Sequence, residues 1–242
     1  MRIVDAHSHL HDFDDKEIMG IISDLDIHIV AVSENLSSSL RTLGLRKISD
    51  RIYPCIGLHP WEANSDDALS EVDEILKHSR DTFCFGEIGL DRRFNTENFN
   101  VQKEVFYMFV EASLKTKKPL NIHALDAWEE TFDIVSSMGV KKAIFHWYSG
   151  PTTLLSKIEK EGYFITINPS VTFQKKHGAV LRAAPLSIIL TESDGPYNYR
   201  GRILNPRMIP LALEYISKTK NIELNKLEEV IISNFKRYLS LQ

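Results

Sequence analysis

Histidines and carboxylates recur along this chain at the ends of short apolar runs. The first group is Asp5-Ala6-His7-Ser8-His9. Side chains two apart on a strand point to the same side, so His7 and His9 can offer two imidazoles to one point in space. That pincer suits Zn, Mn, Ni or Fe. Alone, an H-x-H pair is a weak signal, and an accident of surface or core is the commoner reading. The pattern gains weight by repetition: Gly57-Leu58-His59-Pro60, Gly86-Glu87-Ile88-Gly89-Leu90-Asp91, Asn121-Ile122-His123, Phe145-His146-Trp147 and Glu192-Ser193-Asp194-Gly195-Pro196 each close a similar run.

Taken together, His7, His9, Glu87, His123, His146 and Asp194 form a nitrogen and oxygen donor set. Such a set fits Zn, Mn, Ni, Fe or Co and argues against a calcium site or an iron–sulfur cluster. Six ligands exceed what one tetrahedral ion needs. Two ions sharing a carboxylate account for the surplus, and Glu87, between the first and the later histidine pairs, is the natural bridge. Two divalent ions, two carboxylates and a bridging hydroxide leave a net charge of about +1, which suits a singly negative phosphodiester. Bound ions lower the pKa of water from about 15.7 towards about 7 and stabilise the entering and leaving oxygens. Asp194 is then placed to take the proton and orient the attack.

These residues need elements that bring them to one place. Eight β-branched or aromatic runs predict strands at Arg2–Ala6, His28–Val32, Ile52–Ile56, Thr82–Phe85, Leu120–Ile122, Ala143–Phe145, Tyr163–Ile167 and Ser187–Leu190. Short apolar runs between turn signals suit strands buried on both faces. Helical spacing marks Lys16–Leu25, Asp66–His78, Val101–Lys117 and the last 20 residues, where Leu224, Leu227, Val230, Ile231, Phe235 and Leu239 make an apolar stripe. Pro151–Lys160 is expected to begin with Pro151 at the first helical position and to stop before Gly162. Alternating strands and helices imply parallel α/β architecture. Both an open doubly wound sheet and a closed barrel fit. The count of eight favours a (β/α)₈ TIM barrel, and no G-x-G-x-x-G follows the first strand. In such a barrel, the strand ends that carry these residues open onto the C-terminal face, where active sites are built.

The 242 residues are expected to form a single domain over 1–242. No run approaches the roughly 20 apolar residues of a membrane span, and the first residues lack a signal-peptide pattern, so a cytoplasmic protein is expected. Cys55 and Cys84 read as free core thiols rather than a disulfide framework. The net charge of −4 excludes binding of duplex DNA by overall charge alone. Local groups or bound metal would have to supply the attraction to a nucleic acid.

The segments quoted above resemble the TatD family of metal-dependent deoxyribonucleases, in the amidohydrolase superfamily. Gln102 before Phe106, Pro119 through His123, Ser149-Gly150, Tyr197, Asn205-Pro206 and Asn234-Phe235 extend the likeness over nearly the whole chain. The resemblance implies a distorted (β/α)₈ barrel, two divalent metal ions (Zn, Mg, Mn, Co or Ni) and trimming of DNA from 3′ ends. It implies metal and catalytic roles for His7, His9, Glu87, His123, His146 and Asp194, with Glu87 and Asp194 catalytic, and places His59 at the substrate phosphate. The chain departs from the family at Leu125, where an arginine is common, and at Ser193, Trp147 and Tyr148. Arg92, Arg93, Lys175, Lys176, Arg200 and Arg202, all expected in loops after strands, are candidates to replace the lost charge, against the competing reading of solvated surface charges. Tyr197 and Trp147 are open to two roles, stacking on bases or packing at the barrel top. The expected substrate is a DNA end or single strand. The alternative is a small ester, amide, lactone or phosphoester, and a non-enzymatic scaffold is a third reading. A monomer without membrane association is expected.

Overall fold

A computed structural model describes residues 2–64 and 67–240. In chain order the elements are β1 (Arg2–Ser8), α1 (Asp15–Asp24), β2 (Asp26–Ala31), α2 (Leu36–Leu45), β3 (Ile52–Ile56), α3 (Asp67–Leu76), β4 (Cys84–Gly89), α4 (Phe99–Thr116), β5 (Leu120–His123), α5 (Trp128–Ser137), β6 (Ala143–Phe145), α6 (Leu155–Lys160), β7 (Phe164–Ile167), α7 (Lys175–Ala183), β8 (Ile189–Thr191), the hairpin strands β9 (Asn198–Tyr199) and β10 (Arg202–Ile203), α8 (Ile209–Lys220) and α9 (Leu224–Leu239). Strands β1 to β8 lie side by side in sequence order, each parallel to the next. Helices cover the outside, so β3 to β8 are buried along their whole length. Among the described residues no helix is long and apolar enough to cross a membrane.

The sheet curls into a nearly closed (β/α)₈ barrel. Thr191 Oγ1 donates to the Val4 carbonyl at 2.5 Å, and the Ser193 N–H donates to the Asp5 carboxylate at 2.8 Å. Above them the Asp194 N–H donates to the His7 carbonyl at 3.0 Å, and the His9 N–H to the Gly195 carbonyl at 2.9 Å. These bonds bridge β8 to β1 and continue upward into the loops that carry the chemistry. The ladder is irregular at two places, between Asp5 and Ser8 in β1 and between Phe85 and Ile88 in β4. Such irregularities re-aim side chains and are common beside active sites. Here they flank His7 and Glu87.

All eight predicted strands are present. β4 starts later than the predicted Thr82, which instead donates its hydroxyl to the Pro54 carbonyl, and it runs on through Gly86 to Gly89. Glycines read as strand breakers, but here they are needed. A Cβ at Gly89, whose φ is +143°, would lie 1.9 Å from the His123 carbonyl oxygen. Pro151 is a correction. It caps a short 3₁₀ turn at Thr152–Leu154, and α6 begins only at Leu155. Gly162 does end the helix, with φ +75°. The predicted start of α3 at Asp66 lies outside the described residues. Lys175 and Lys176 form the first turn of α7 rather than a loop.

Candidate metal centre

His7 and His9 leave the C-terminal end of β1 with their Nε2 atoms 3.4 Å apart. Glu87, from β4, sets Oε2 at 3.2 Å from His7 Nε2 and 3.3 Å from His9 Nε2. Asp194, in the loop after β8, sets Oδ1 at 3.4 Å from each. Metal–ligand bonds of about 2.0–2.1 Å in a tetrahedron give donor–donor edges of about 3.3 Å. The spacing of these four donors therefore fits a small divalent ion.

The other oxygen of Glu87 faces a second group. Its Oε1 lies 2.8 Å from His123 Nδ1 and 2.8 Å from His146 Nε2, and those two nitrogens are 3.2 Å apart. One carboxylate thus stands between two histidine pairs, with one oxygen turned to each. The rings of His7 and His146 stack across it at 4.0 Å. Strands β1, β4, β5 and β6 and the β8 loop supply all six residues, and each of the six is buried.

Behind the donors stands a layer that fixes their orientation. The Asn121 amide nitrogen donates to the Ala6 carbonyl at 2.8 Å, so its oxygen faces His7 Nδ1, also at 2.8 Å. That oxygen can only accept. The proton of His7 therefore sits on Nδ1, and the Nε2 lone pair is free for a cation. Asp91 Oδ2 meets His123 Nε2 at 2.9 Å and leaves its Nδ1 facing Glu87. Asp91 is itself held by the Trp61 indole N–H at 2.7 Å. Buried Glu192 accepts from the Trp147 N–H, the Thr166 hydroxyl and the Asn168 amide, and lies 3.7 Å from His146 Nδ1. Sequence reading assigned no role to Asn121, Asp91 or Glu192. The available signal for Asn121 was its spacing, two residues before His123 on the same face of β5.

Burial opposes charge on Glu87, His9 and His123, yet these three keep their charges. Burial alone would raise Glu87, but the charges of His146, His59 and His7 hold it well below the usual carboxylate range. Burial would lower His9 and His123. Asp194 and Glu87 instead raise His9 to about 10, and Asp91 and Glu87 raise His123 to about 9. Ionised carboxylates thus draw positive charge into a buried site. A divalent ion meets that demand with neutral imidazoles and releases the protons.

His59 behaves differently. The Trp61 N–H donates to its Nδ1 at 3.1 Å, so its proton is on Nε2, which lies 3.1 Å from Glu87 Oε1. It stands at the centre as a hydrogen-bond donor. Arg93 and Tyr197 line the same cleft, with Leu125, Phe94, Trp61, Trp128, Trp147 and Tyr199. Arg93 is bound by both oxygens of Asp126 at 2.8 and 2.9 Å. Tyr197 packs edge-on to Trp147 at 5.9 Å. Arg92 lines an adjoining open groove, paired with Glu130 at 2.5 Å and lying 3.9 Å over the Phe99 ring.

A parallel eight-stranded barrel with such a centre at the C-terminal ends of its strands is the framework of a metal-dependent hydrolase. The family described as TatD related DNase matches residues 4–240. An uncharacterized metal-dependent hydrolase of Methanocaldococcus jannaschii is 33% identical, with 99% of each chain covered. The human deoxyribonuclease TATDN3 is 25% identical over 96% of this chain and 92% of its own. The crystal structure of the TatD homolog YJJV from Escherichia coli superimposes with a TM-score of 0.88 at 19% identity, covering 100% of this chain and 99% of that one. The chain belongs to the TatD-related family of metal-dependent hydrolases.

Proposed function

We propose that this enzyme is a deoxyribonuclease of the 3′–5′ exonuclease type, acting on DNA ends or single strands. The observation that carries the reading is Glu87, with Oε2 turned to His7 and His9 and Oε1 to His123 and His146. In this reading His7, His9 and Asp194 would hold one ion, His123 and His146 would hold the other, and Glu87 would serve both. Bound ions supply hydroxide near neutral pH and stabilise charge on the reacting oxygens. Asp194 accepts the proton of the attacking water. It is ionised, since His7 and His9 outweigh burial and hold its carboxyl well below the usual range. The Nε2–H of His59, which points to Glu87 Oε1 at 3.1 Å, is shared with a phosphate oxygen of the substrate. Tyr197 and Trp147 offer ring surfaces to a terminal base.

A second reading, hydrolysis of a small ester, amide or lactone, is favoured by the cleft wall. Leu125 stands where the family commonly carries arginine, and Arg93 is neutralised by Asp126. Asp91 and Glu192 behind the histidines also make the local charge less positive than the six direct donors alone suggest. The test is a panel: protein loaded with Mg, Mn, Zn or Co against single-stranded DNA, duplex DNA, RNA and generic esters, with a chelator control. Metal-dependent shortening of single-stranded DNA from its 3′ end is expected. Ester turnover without DNA turnover would transfer the assignment to the second reading.

A further inference from the structure

The two rims of the cleft differ in charge. On the β4 side the arginines are spent: Arg92 pairs with Glu130 and Arg93 with Asp126. On the β7 and β8 side stand Lys175, Lys176, Arg200 and Arg202, all exposed. Among the described residues, none of these four has a carboxylate within 4.0 Å. The cations alternate with rings. The Arg200 guanidinium lies 5.4 Å from the Tyr199 ring centre, and that of Arg202 lies 4.5 Å over Phe173.

This rim is joined to the metal centre. Trp147, next after His146, donates its indole N–H to Gln174 Oε1 at 2.9 Å, and Gln174 donates to the Tyr199 hydroxyl at 3.2 Å. The Trp147 and Tyr199 rings are 5.0 Å apart, and Tyr199 stacks on Phe173 at 5.9 Å. Lys175 and Lys176 follow Gln174 directly. Glu87, Trp147, Gln174 and Tyr199 line one cleft, and Tyr199 belongs to the hairpin, so the cleft that holds the metal centre runs to the hairpin's base.

The hairpin presents its arginine at a conformational penalty. Arg200 and Gly201 form the two-residue turn between β9 and β10, with φ of +53° and +81°. A turn with both central residues at positive φ favours Asn-Gly. A long side chain at the first position is strained, because its Cβ crowds the backbone at positive φ. Turn stability alone would place asparagine there.

We infer that the β9–β10 hairpin and the first turn of α7 form a binding track for single-stranded nucleic acid. Its exposed cations take the backbone phosphates of the strand outside the reacting unit. Interleaved cations and rings are the means by which such strands are held without base reading. The inference rests on the nuclease reading above for its substrate, but it concerns a different surface.

The test uses metal-loaded protein, a fluorescein-labelled ten-nucleotide single strand with phosphorothioate links to read binding, the same strand with ordinary phosphodiester links to read cleavage, and the double variant Arg200→Asn, Arg202→Gln. Asparagine suits the turn, so the variant should melt no lower than wild type. Binding should weaken roughly tenfold at low salt, and the slope of log affinity against log salt should shrink by about 1.4 for two lost phosphate contacts. Hydrolysis of bis(p-nitrophenyl) phosphate, which is too short to reach the hairpin, should be unchanged. Oligonucleotide that binds through Arg200 and Arg202 but is never cut would sink the nuclease reading and leave the track standing. Oligonucleotide that is cut normally, with affinity and salt slope unchanged in the variant, would overturn the track and leave the nuclease reading. Absence of oligonucleotide binding by wild type would also overturn the track.

Discussion

The Asn121 side chain decides which nitrogen of His7 faces Glu87. Its amide donates to the Ala6 carbonyl at 2.8 Å, and its oxygen accepts the Nδ1–H of His7 at 2.8 Å. Both residues are fully buried, so water cannot stand in for either bond. Partners of this kind are worth about 10–100-fold in metal affinity. Asn121→Leu keeps the volume and removes both bonds. Metal titration should show one ion bound about 10–100-fold more weakly while the second keeps its affinity. Unchanged affinity at both positions would show that the ring is oriented by packing alone.

The two histidine pairs should be separable. His123 contacts Glu87 Oε1 and Asp91, whereas His7 and His9 contact Glu87 Oε2. His123→Ala should therefore bind one ion where the wild type binds two, with folding checked by circular dichroism. Elemental analysis returning two ions per chain would remove His123 from the ligand set.

Much of this centre was legible before any coordinates. Short apolar runs ending in histidine announce parallel strands and their functional ends, and the period-two spacing of His7 and His9 puts both on one face. The supporting layer was less visible. Asn121 and Glu192 act through hydrogen bonds to strands far away in sequence; Asn121 is marked only by its place two residues before His123, and Glu192 has no such spacing. Helix α2 (Leu36–Leu45) was also unmarked, because Leu36-Ser-Ser-Ser reads as a turn. The capping box of Asn35 and Ser38 makes it a helix start. Arg92 and Arg93 are adjacent in sequence yet point into different grooves, which only the loop geometry decides.

Asp194 has a φ of +54°, and its N–H is fixed to the His7 carbonyl at 3.0 Å. The backbone therefore aims the carboxylate whatever its charge. Asp194→Asn should leave the melting temperature within a few degrees of wild type. It should lower kcat by roughly 10²–10⁴, the usual contribution of a general base. Turnover within tenfold of wild type would exclude Asp194 as the proton acceptor.

Gly89 lies tight against the backbone of β5. At φ +143°, a Cβ would sit 1.9 Å from the His123 carbonyl oxygen, which also accepts the Leu90 N–H at 3.0 Å. The backbone of either Glu87's strand or His123's strand would have to yield. Gly89→Ala should cost on the order of 3 kcal/mol, roughly 6–12 °C in Tm for a chain of this length. It should also weaken metal binding, since Glu87 and His123 move apart. A variant that melts like wild type would mean that the β4–β5 contact is compliant.

His177 offers a pH test remote from the metal donors. It is buried, its Nδ1–H donates to the Tyr148 carbonyl at 3.0 Å, and its Nε2 accepts the Asn168 N–H at 3.1 Å. Both nitrogens are used only if the ring is neutral. Burial pushes its pKa from 6.5 down to about 4. Between those values the unfolded chain takes up a proton that the folded one refuses. The stabilisation is therefore complete above pH 6.5 and is lost as pH falls towards 4, by about 3 kcal/mol in all. His177→Gln keeps a donor and an acceptor but cannot titrate. Relative to the variant, wild type should lose stability steadily from pH 6.5 to 4 in urea titrations of the metal-free proteins. A stability difference that stays constant across that range would mean that the folded protein admits the charged ring.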